Sequence, residues 1–393
     1  MLSLLLVIIY ITFISLGLPD SLLGSAWPVM QSDLNVPLSY AGIVIIIITV
    51  GTIISSLLSD QLTQRFKPGI VIAFSVSMTA LALMGFSFSR SFIALCFWAI
   101  PYGLGAGAVD AALNNYVALN YASRHMNWLH CFWGLGATVS PYIMGYFLTN
   151  NLGWQNGYRA IGFIQIVLAV LLIVTLPIWQ QKKELVLPPN DLVDGQSQKA
   201  QSWSELFQIK GLKLMLVTFF AYCGLELTTG LWATTYLVEY RLVPENVAAK
   251  FGSLFFIGIT IGRFVCGFVA DRFGDKALIR WGICLLASGI VFIALPLETD
   301  YLALCGLIII GLGCAPIYPA IIHATPSYFG KKNSQAIIGI QMACAYLGST
   351  IVPPVFGVLA SSFTIGLFPA YLFLFAVLMF LTSERLNKLL KVN

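Results

Sequence analysis

From end to end the sequence divides into apolar stretches of about 20 to 28 residues that are almost empty of charge. A transmembrane helix needs about 20 consecutive apolar residues, whereas a barrel strand needs only about 9 to 11 in alternation. Lipid offers no partner to a backbone N–H or C=O, and a helix satisfies both within itself, so stretches of this length fold as membrane-spanning helices. Composition agrees, since 59% of the 393 residues are hydrophobic and 9% charged, against about 25% charged in soluble proteins. That is too little charge to cover a water-facing surface. A soluble enzyme, a nucleic-acid binder and a disordered regulator are excluded. The net charge of +5 reports where loops lie, not affinity for an acidic partner.

The first apolar run, Ser3 to Met30, is too long for a signal-peptide core and has neither a basic leader nor a small-residue cleavage site, so it reads as a helix. Further spans are expected near 37–59, 69–88, 92–118, 127–149, 157–179, 213–238, 247–270, 277–297, 301–325, 335–360 and 364–383. This is an all-α membrane protein with twelve transmembrane helices. Its one long polar segment, about 181–212, separates six helices (1–180) from six more (213–393). Near the end of that linker, Ser202-Trp203-Ser204-Glu205 has capping-box spacing and predicts a short surface helix. The eight cysteines, Cys96, Cys131, Cys223, Cys266, Cys284, Cys305, Cys314 and Cys344, fall inside apolar spans without CxxC spacing. They read as small buried hydrophobes, neither a disulfide framework nor a metal site.

Orientation follows from Lys and Arg, which favour the cytoplasmic side. With the amino terminus inside, the inner segments hold 16 of the 21 basic residues. Arg90, Arg159, Arg241 and Lys250 fall outside, and Arg263 alone lies within a span. Both termini are then cytoplasmic, in the cell (inner) membrane.

The halves repeat. Asp60 matches Asp271 at an offset of 211, and Gly103-Leu104-Gly105 matches Gly311-Leu312-Gly313. Gly136, Pro141 and Gly145 match Gly348, Pro353 and Gly357 at 212, while Asp20 and Gly24 match Glu226 and Gly230 at 206. Parallel repeats of this kind put a substrate site between halves near the midplane.

The segment Gly267-Phe268-Val269-Ala270-Asp271-Arg272-Phe273-Gly274-Asp275-Lys276 resembles the loop motif G-x-x-x-D-R/K-x-G-R/K-R/K of the major facilitator superfamily, departing at Asp275, where a basic residue is usual. The copy around Asp60 is degenerate, with Ser56, Gln61 and Thr63 at motif positions. An acidic residue there caps a helix end and pairs with basic groups. The resemblance therefore implies that Asp60, Arg65, Asp271 and Arg272 latch an inward gate rather than touch substrate. Helix 4 (Gly103 to Asn114), helix 5 (Asn127 through Ala137), Tyr222 to Glu226 and Ile261 to Phe264 are similar to the fucose–proton symporter family. That branch, with sodium-linked glucose carriers among its relatives, implies proton-coupled uptake of a monosaccharide, and it links a helix 1 aspartate to proton coupling.

An ionisable group at the bilayer centre costs about 2.5 to 3.5 kcal/mol even on lenient scales, so it usually faces a cavity and has a task. Asp20, Asp110, Glu226 and Arg263 qualify. Asp20 follows Pro19 between Gly17 and Gly24, so helix 1 is expected to bend there. Apolar surroundings favour a neutral carboxyl and a polar substrate or cation favours the charged form, which suits Asp20, Asp110 and Glu226 to coupling. Asp110 and Asn114 project from one face of helix 4 and together offer the acceptors and donors that vicinal hydroxyls need. The family has a Glu at position 110, one methylene longer. Tyr222 shares the face of Glu226. Arg263 is expected either to pair with an intramembrane carboxylate, as part of the gating machinery, or to snorkel to the interface.

Weaker candidates for substrate contact are Asn114, His130 and Gln341, with Trp27, Trp133 and Trp232 as aromatic platforms. Polar glue between helices, packing and the interfacial belt compete for the same residue types. Asn115 matches His323 across the repeat. No Walker-type Gly-x-x-x-x-Gly-Lys, HExxH, Cys/His cluster or Gly-x-Ser-x-Gly elbow occurs, so no catalytic residue, metal or cofactor is expected and ATP is not the driver.

The reading is a secondary active transporter, a proton-coupled symporter of a monosaccharide or similar small polar solute working by alternating access. Its partners are that solute, a proton or sodium ion and the bilayer; it is expected to be complete as a monomer. An efflux carrier of the same fold and a transport-dead sensor are the alternatives.

Overall fold

The structure, a computed structural model, describes residues 4–179, 203–295 and 301–390. Among these, every regular element is helical. The chain runs through α1 (Leu4–Asp20), α2 (Leu22–Asp33), α3 (Ala41–Phe66), α4 (Pro68–Phe88), α5 (Phe92–Asn120), α6 (Ser123–Thr149) and α7 (Trp154–Val174). After the linker come α8 (Trp203–Gln208), α9 (Leu212–Glu239), α10 (Glu245–Ala294), α11 (Tyr301–Cys314), α12 (Ile317–Phe329), α13 (Ser334–Ser362) and α14 (Phe368–Leu389). Most of the expected linker, like Ser202 of the capping box, lies outside the described residues; α8 stands where the box predicts a helix.

Ten of the described helical segments are long and apolar enough to cross a membrane. Two features separate that number from the expected twelve. The 27-residue α6 is not among the ten; it carries Arg124, His125, Asn127 and His130 in its first half and Thr138, Ser140 and Pro141 in its second. The two stretches expected at 247–270 and 277–297 are two helices that meet at Gly274, whose φ of 76° leaves helical geometry, and α10 names them together. That left-handed backbone is open to glycine at little steric cost, and the chain turns there between Phe273 and Asp275.

Two compact units are present. One comprises Met1–Tyr116 and Phe132–Trp203; the other comprises Val117–Cys131 and Ser204–Asn393. The end of α5 and the start of α6 therefore group with α8 to α14. In the first unit α4 packs on α7, and α1 on α7 and α2; in the second, α10 packs on α11, and α9 on α13 and α14.

Helices in lipid gain little from hydrophobic burial against each other, so close packing through small residues holds them. Each unit uses the same contact. A Cβ on Gly136 would fall inside the envelope of the Ile14 carbonyl oxygen, and one on Gly348 would meet the Phe220 carbonyl. Ile14 and Phe220 are 206 residues apart, the offset of the Asp20–Glu226 match. Gly103 against the Ile48 carbonyl recurs as Gly311 against that of Phe255. The internal repeat is thus repeated in packing as well as in sequence.

Cys131, Cys223 and Cys314 are buried as expected, but Cys284 and Cys305 are exposed among outward-facing apolar side chains. A thiol tolerates lipid as readily as core.

Gly136→Ala is expected to lower the thermal midpoint of the purified protein in detergent, since the added methyl meets backbone that cannot swing aside and overpacking costs about 1–3 kcal/mol. Gly145→Ala, whose methyl would meet nothing within 4 Å, should leave the midpoint unchanged or slightly raised.

Candidate functional site

Helix 1 breaks at its carboxylate. Pro19 brings no N–H, α1 ends at Asp20, and α2 resumes at Leu22. The Ser15 carbonyl, which position 19 would serve in an unbroken helix, accepts from Gln165 Nε2, and Ser15 Oγ donates to Gln165 Oε1 at 2.9 Å. The break is therefore built with its hydrogen bonds replaced. Asp20 stands exposed directly after the buried Gly17, Leu18 and Pro19. Trp133 Nε1 donates to one of its oxygens at 3.0 Å and the Tyr102 hydroxyl to the other at 3.4 Å. The Gly17 and Gly136 contacts bring α1 and α6 together and set the indole at that reach. A carboxylate has about four lone-pair sites, and these two donors leave capacity for a substrate hydroxyl or a proton.

Asp110 lies on α5, partly exposed, and Asn114 one turn later is fully buried. Asn114 Nδ2 donates to Asp110 Oδ1 at 2.8 Å and to its backbone carbonyl at 3.0 Å. The amide thus orients the carboxylate instead of offering these protons elsewhere. Tyr102, Asp110 and Asn114 share one stripe of α5 at multiples of four residues.

In the second unit, Arg263 Nη2 pairs with Glu226 Oε1 at 3.3 Å, with the arginine side chain 5% exposed and the glutamate 22%. Pairing, not snorkelling, is what the structure shows, and the carboxylate is the more open partner. The Tyr222 hydroxyl donates to the Cys314 carbonyl at 3.0 Å, at the point where α11 ends before Pro316. Around it gather aromatic rings. Tyr318 lies 4.7 Å from His130, 4.7 Å from Phe219 and 6.2 Å from Tyr222, centroid to centroid. Its hydroxyl points at the Met342 sulfur at 3.1 Å, a weak acceptor.

Other candidates stand apart from these groups. Trp27 is 4% exposed in an apolar cluster with Leu22, Ala26, Met30 and Val44. Gln341 and Thr325 bond each other between α13 and α12, so this amide joins helices. Trp232 donates to the Pro353 carbonyl at 3.0 Å and meets Phe356 edge-on. Of the motif residues, Asp60 is buried and accepts from Gln64 at 2.9 Å, while Arg65 lies over the Phe66 ring. Asp271 accepts from the Arg124 backbone N–H at 3.1 Å, capping the start of α6, and pairs with the Arg124 side chain at 3.3 Å. Arg272 lies over Phe273.

The model of the family described as Major Facilitator Superfamily matches residues 9–249 and 214–388. The chain belongs to the major facilitator superfamily. Members are carriers and not enzymes, and this one is a multi-pass membrane protein. Bypass of stop codon protein 6 of Saccharomyces cerevisiae is 23% identical over 91% of this chain and 77% of its own length. Glucose/mannose transporter GlcP of Bacillus subtilis is 24% identical over 87% of this chain and 84% of its own. Among solved structures, the E. coli fucose:proton symporter FucP, in an outward conformation, superposes with a TM-score of 0.79 at 15% identity, covering 98% of both chains. That likeness carries the fold.

Sequence reasoning missed Tyr102, Gln165 and Tyr318. Tyr102 was within reach of it, because it precedes Asp110 by two helical repeats of four. Gln165 and Tyr318 act through contacts with distant helices and leave no local pattern.

Arg263→Met leaves Glu226 without its partner and is expected to cost about 3 kcal/mol of stability. In a double-mutant cycle read by unfolding in detergent, Arg263→Met with Glu226→Gln should be closer to wild type than Arg263→Met alone.

Proposed function

We propose that this member of the superfamily is a secondary active transporter, coupling a proton to uptake of a monosaccharide or similar small polar solute by alternating access. One observation carries the reading. An exposed carboxylate, Asp20, sits at the break of helix 1 with an indole N–H and a phenol O–H donating to its two oxygens. Such a group can exchange those donors for substrate hydroxyls, and it can carry a proton when apolar surroundings close over it.

Charge supports a neutral solute. The spans hold the carboxylates Asp20, Asp110 and Glu226 against the single cation Arg263, which Glu226 already pairs. Carboxylates outnumber cations in these spans, which suits a neutral polyol that donates to them better than an anion. GlcP and FucP point the same way by their names.

In this reading the chain has twelve transmembrane helices. α6 is a span although polar, and α10 is two spans divided at Gly274. They form two pseudo-symmetric halves, 1–180 and 213–393, with both termini on the cytoplasmic side of the inner membrane. Asp20, Asp110 and Glu226 carry coupling charge, Asp110, Trp133, His130 and Tyr222 contribute to the solute site, and the Asp271–Arg124 pair belongs to the gate.

The test is uptake of radiolabelled hexoses into proteoliposomes with an inside-alkaline pH gradient on or off. Wild type should accumulate a hexose only with the gradient. Asp20→Asn should lose gradient-driven accumulation at least tenfold while keeping hexose exchange at equal pH. Accumulation by Asp20→Asn at the wild-type level would remove Asp20 from coupling, and the absence of any hexose movement would remove the sugar.

A further inference from the structure

The motif position where a basic residue is usual holds Asp275, and the structure gives that departure a partner. Gly274 turns the chain so that Asp271 and Asp275, on either side of it, both reach the start of α6. Asp275 Oδ1 accepts from Ser123 Oγ at 2.6 Å, and Asp275 Oδ2 lies 2.6 Å from His323 Nδ1. The other ring nitrogen, His323 Nε2, lies 3.2 Å from the Tyr121 carbonyl oxygen.

Both nitrogens of this imidazole therefore face acceptors. A carbonyl has no proton to give, so Nε2 must carry one. Asp275 accepts from Ser123 at Oδ1 and lies against Nδ1 through Oδ2, so a second proton must sit between Oδ2 and Nδ1. Only a pair that holds both protons satisfies every contact; with one alone, a ring lone pair is turned against an oxygen.

The surroundings leave this second proton its place. From α10, Asp275 and Asp271 face it, and Asp271 is engaged by Arg124. From the turn before α6 come Ser123 and the Tyr121 carbonyl. On its own helix, Tyr328 approaches Asp275 and donates to Asn387 of α14 at 3.3 Å. Glu384 of α14 is taken by Arg280 at 2.6 Å, with Lys276 and Lys388 near it. α9 and α13 meet α12 through Phe219, Tyr222, Gln341 and Met342, which are uncharged at neutral pH.

We propose that His323 and Asp275 form a proton-dependent clasp that fastens the segment 117–131, the end of α5 and start of α6, to α10 and α12. Protonated, it holds Tyr121 and Ser123 together with Asp275; on losing the proton it must release at least one contact. Acid on the side of this turn, which the distribution of Lys and Arg makes the cytoplasm, closes the clasp, and alkali loosens it. A proton here regulates motion and is separate from any proton carried with solute. The inference does not depend on which solute is carried.

Hydrogen exchange measured by mass spectrometry on the full-length protein in lipid nanodiscs tests it, with no substrate needed. After correction for the intrinsic effect of pH on exchange, amides in 117–131 of the wild type should exchange about tenfold faster at pH 8.5 than at pH 5.5. His323→Gln should exchange fast at both values, and Asp275→Asn should likewise lose the step. His323→Lys, which keeps a permanent cation, should stay protected at both. A wild type without a pH step, or a step that survives His323→Gln, would overturn the clasp. Peptides of α4 and α7 report on folding, and a variant that loosens them is replaced by the wild-type titration and His323→Lys as the deciding pair.

Discussion

No backbone N–H or C=O can be left facing hydrocarbon, and everything else in this protein is arranged around that requirement. It makes every regular element described a helix, and it makes each interruption of a helix a place that needs polar company. At Pro19 the orphaned Ser15 carbonyl is served by Gln165 from α7. At the end of α11 the Cys314 carbonyl is served by Tyr222 from α9. The side chains with chemistry stand beside these same places: Asp20 at the first, and Glu226, one turn beyond Tyr222, near the second. Polar groups brought in to repair the backbone make a neighbourhood in which an ionisable group can exist.

Close approach between helices is the second layer. Gly17 and Gly136 let α1 and α6 approach until backbone meets backbone, and Trp133 is thereby held against Asp20. The equivalent approach at Gly348 and Phe220 brings α9 and α13 together in the other unit. Repetition of these contacts at nearly constant offsets gives the sequence repeat a mechanical meaning. The matching glycines stand where the carbonyls of neighbouring helices need room.

Much of this was legible in the sequence because it rests on composition and short-range spacing. The apolar stretches fix the fold class; Pro19 beside Asp20 announces the break; Asp110 and Asn114, four apart, announce their shared face. The choice of Glu226 as partner for Arg263 was beyond reach, since the two are 37 residues apart on different helices. Trp27, Trp232 and Gln341 look from sequence like Trp133 and Asn114, and only packing separates a tryptophan in an apolar cluster from one donating to a carboxylate. Asp275 was legible as a departure and illegible as a contact. Its histidine lies 48 residues away and the serine 152.

The polarity of α6 has a consequence for how the protein is made. This segment, which opens with Ser123, Arg124, His125 and Asn127, is less apolar than the other long helices described. Some of its polar groups are served within the helix, as Asn127 is by the Ser123 carbonyl, and others by other helices: Trp133 by Asp20 of α1, Trp128 by the Phe264 carbonyl of α10 and the backbone of Arg124 by Asp271. Those on α10 are synthesised more than a hundred residues later. The contacts of α6 with α10 therefore form only after much of the second half of the chain has been made. The packing of α6 is thus completed by chain that follows it by more than a hundred residues.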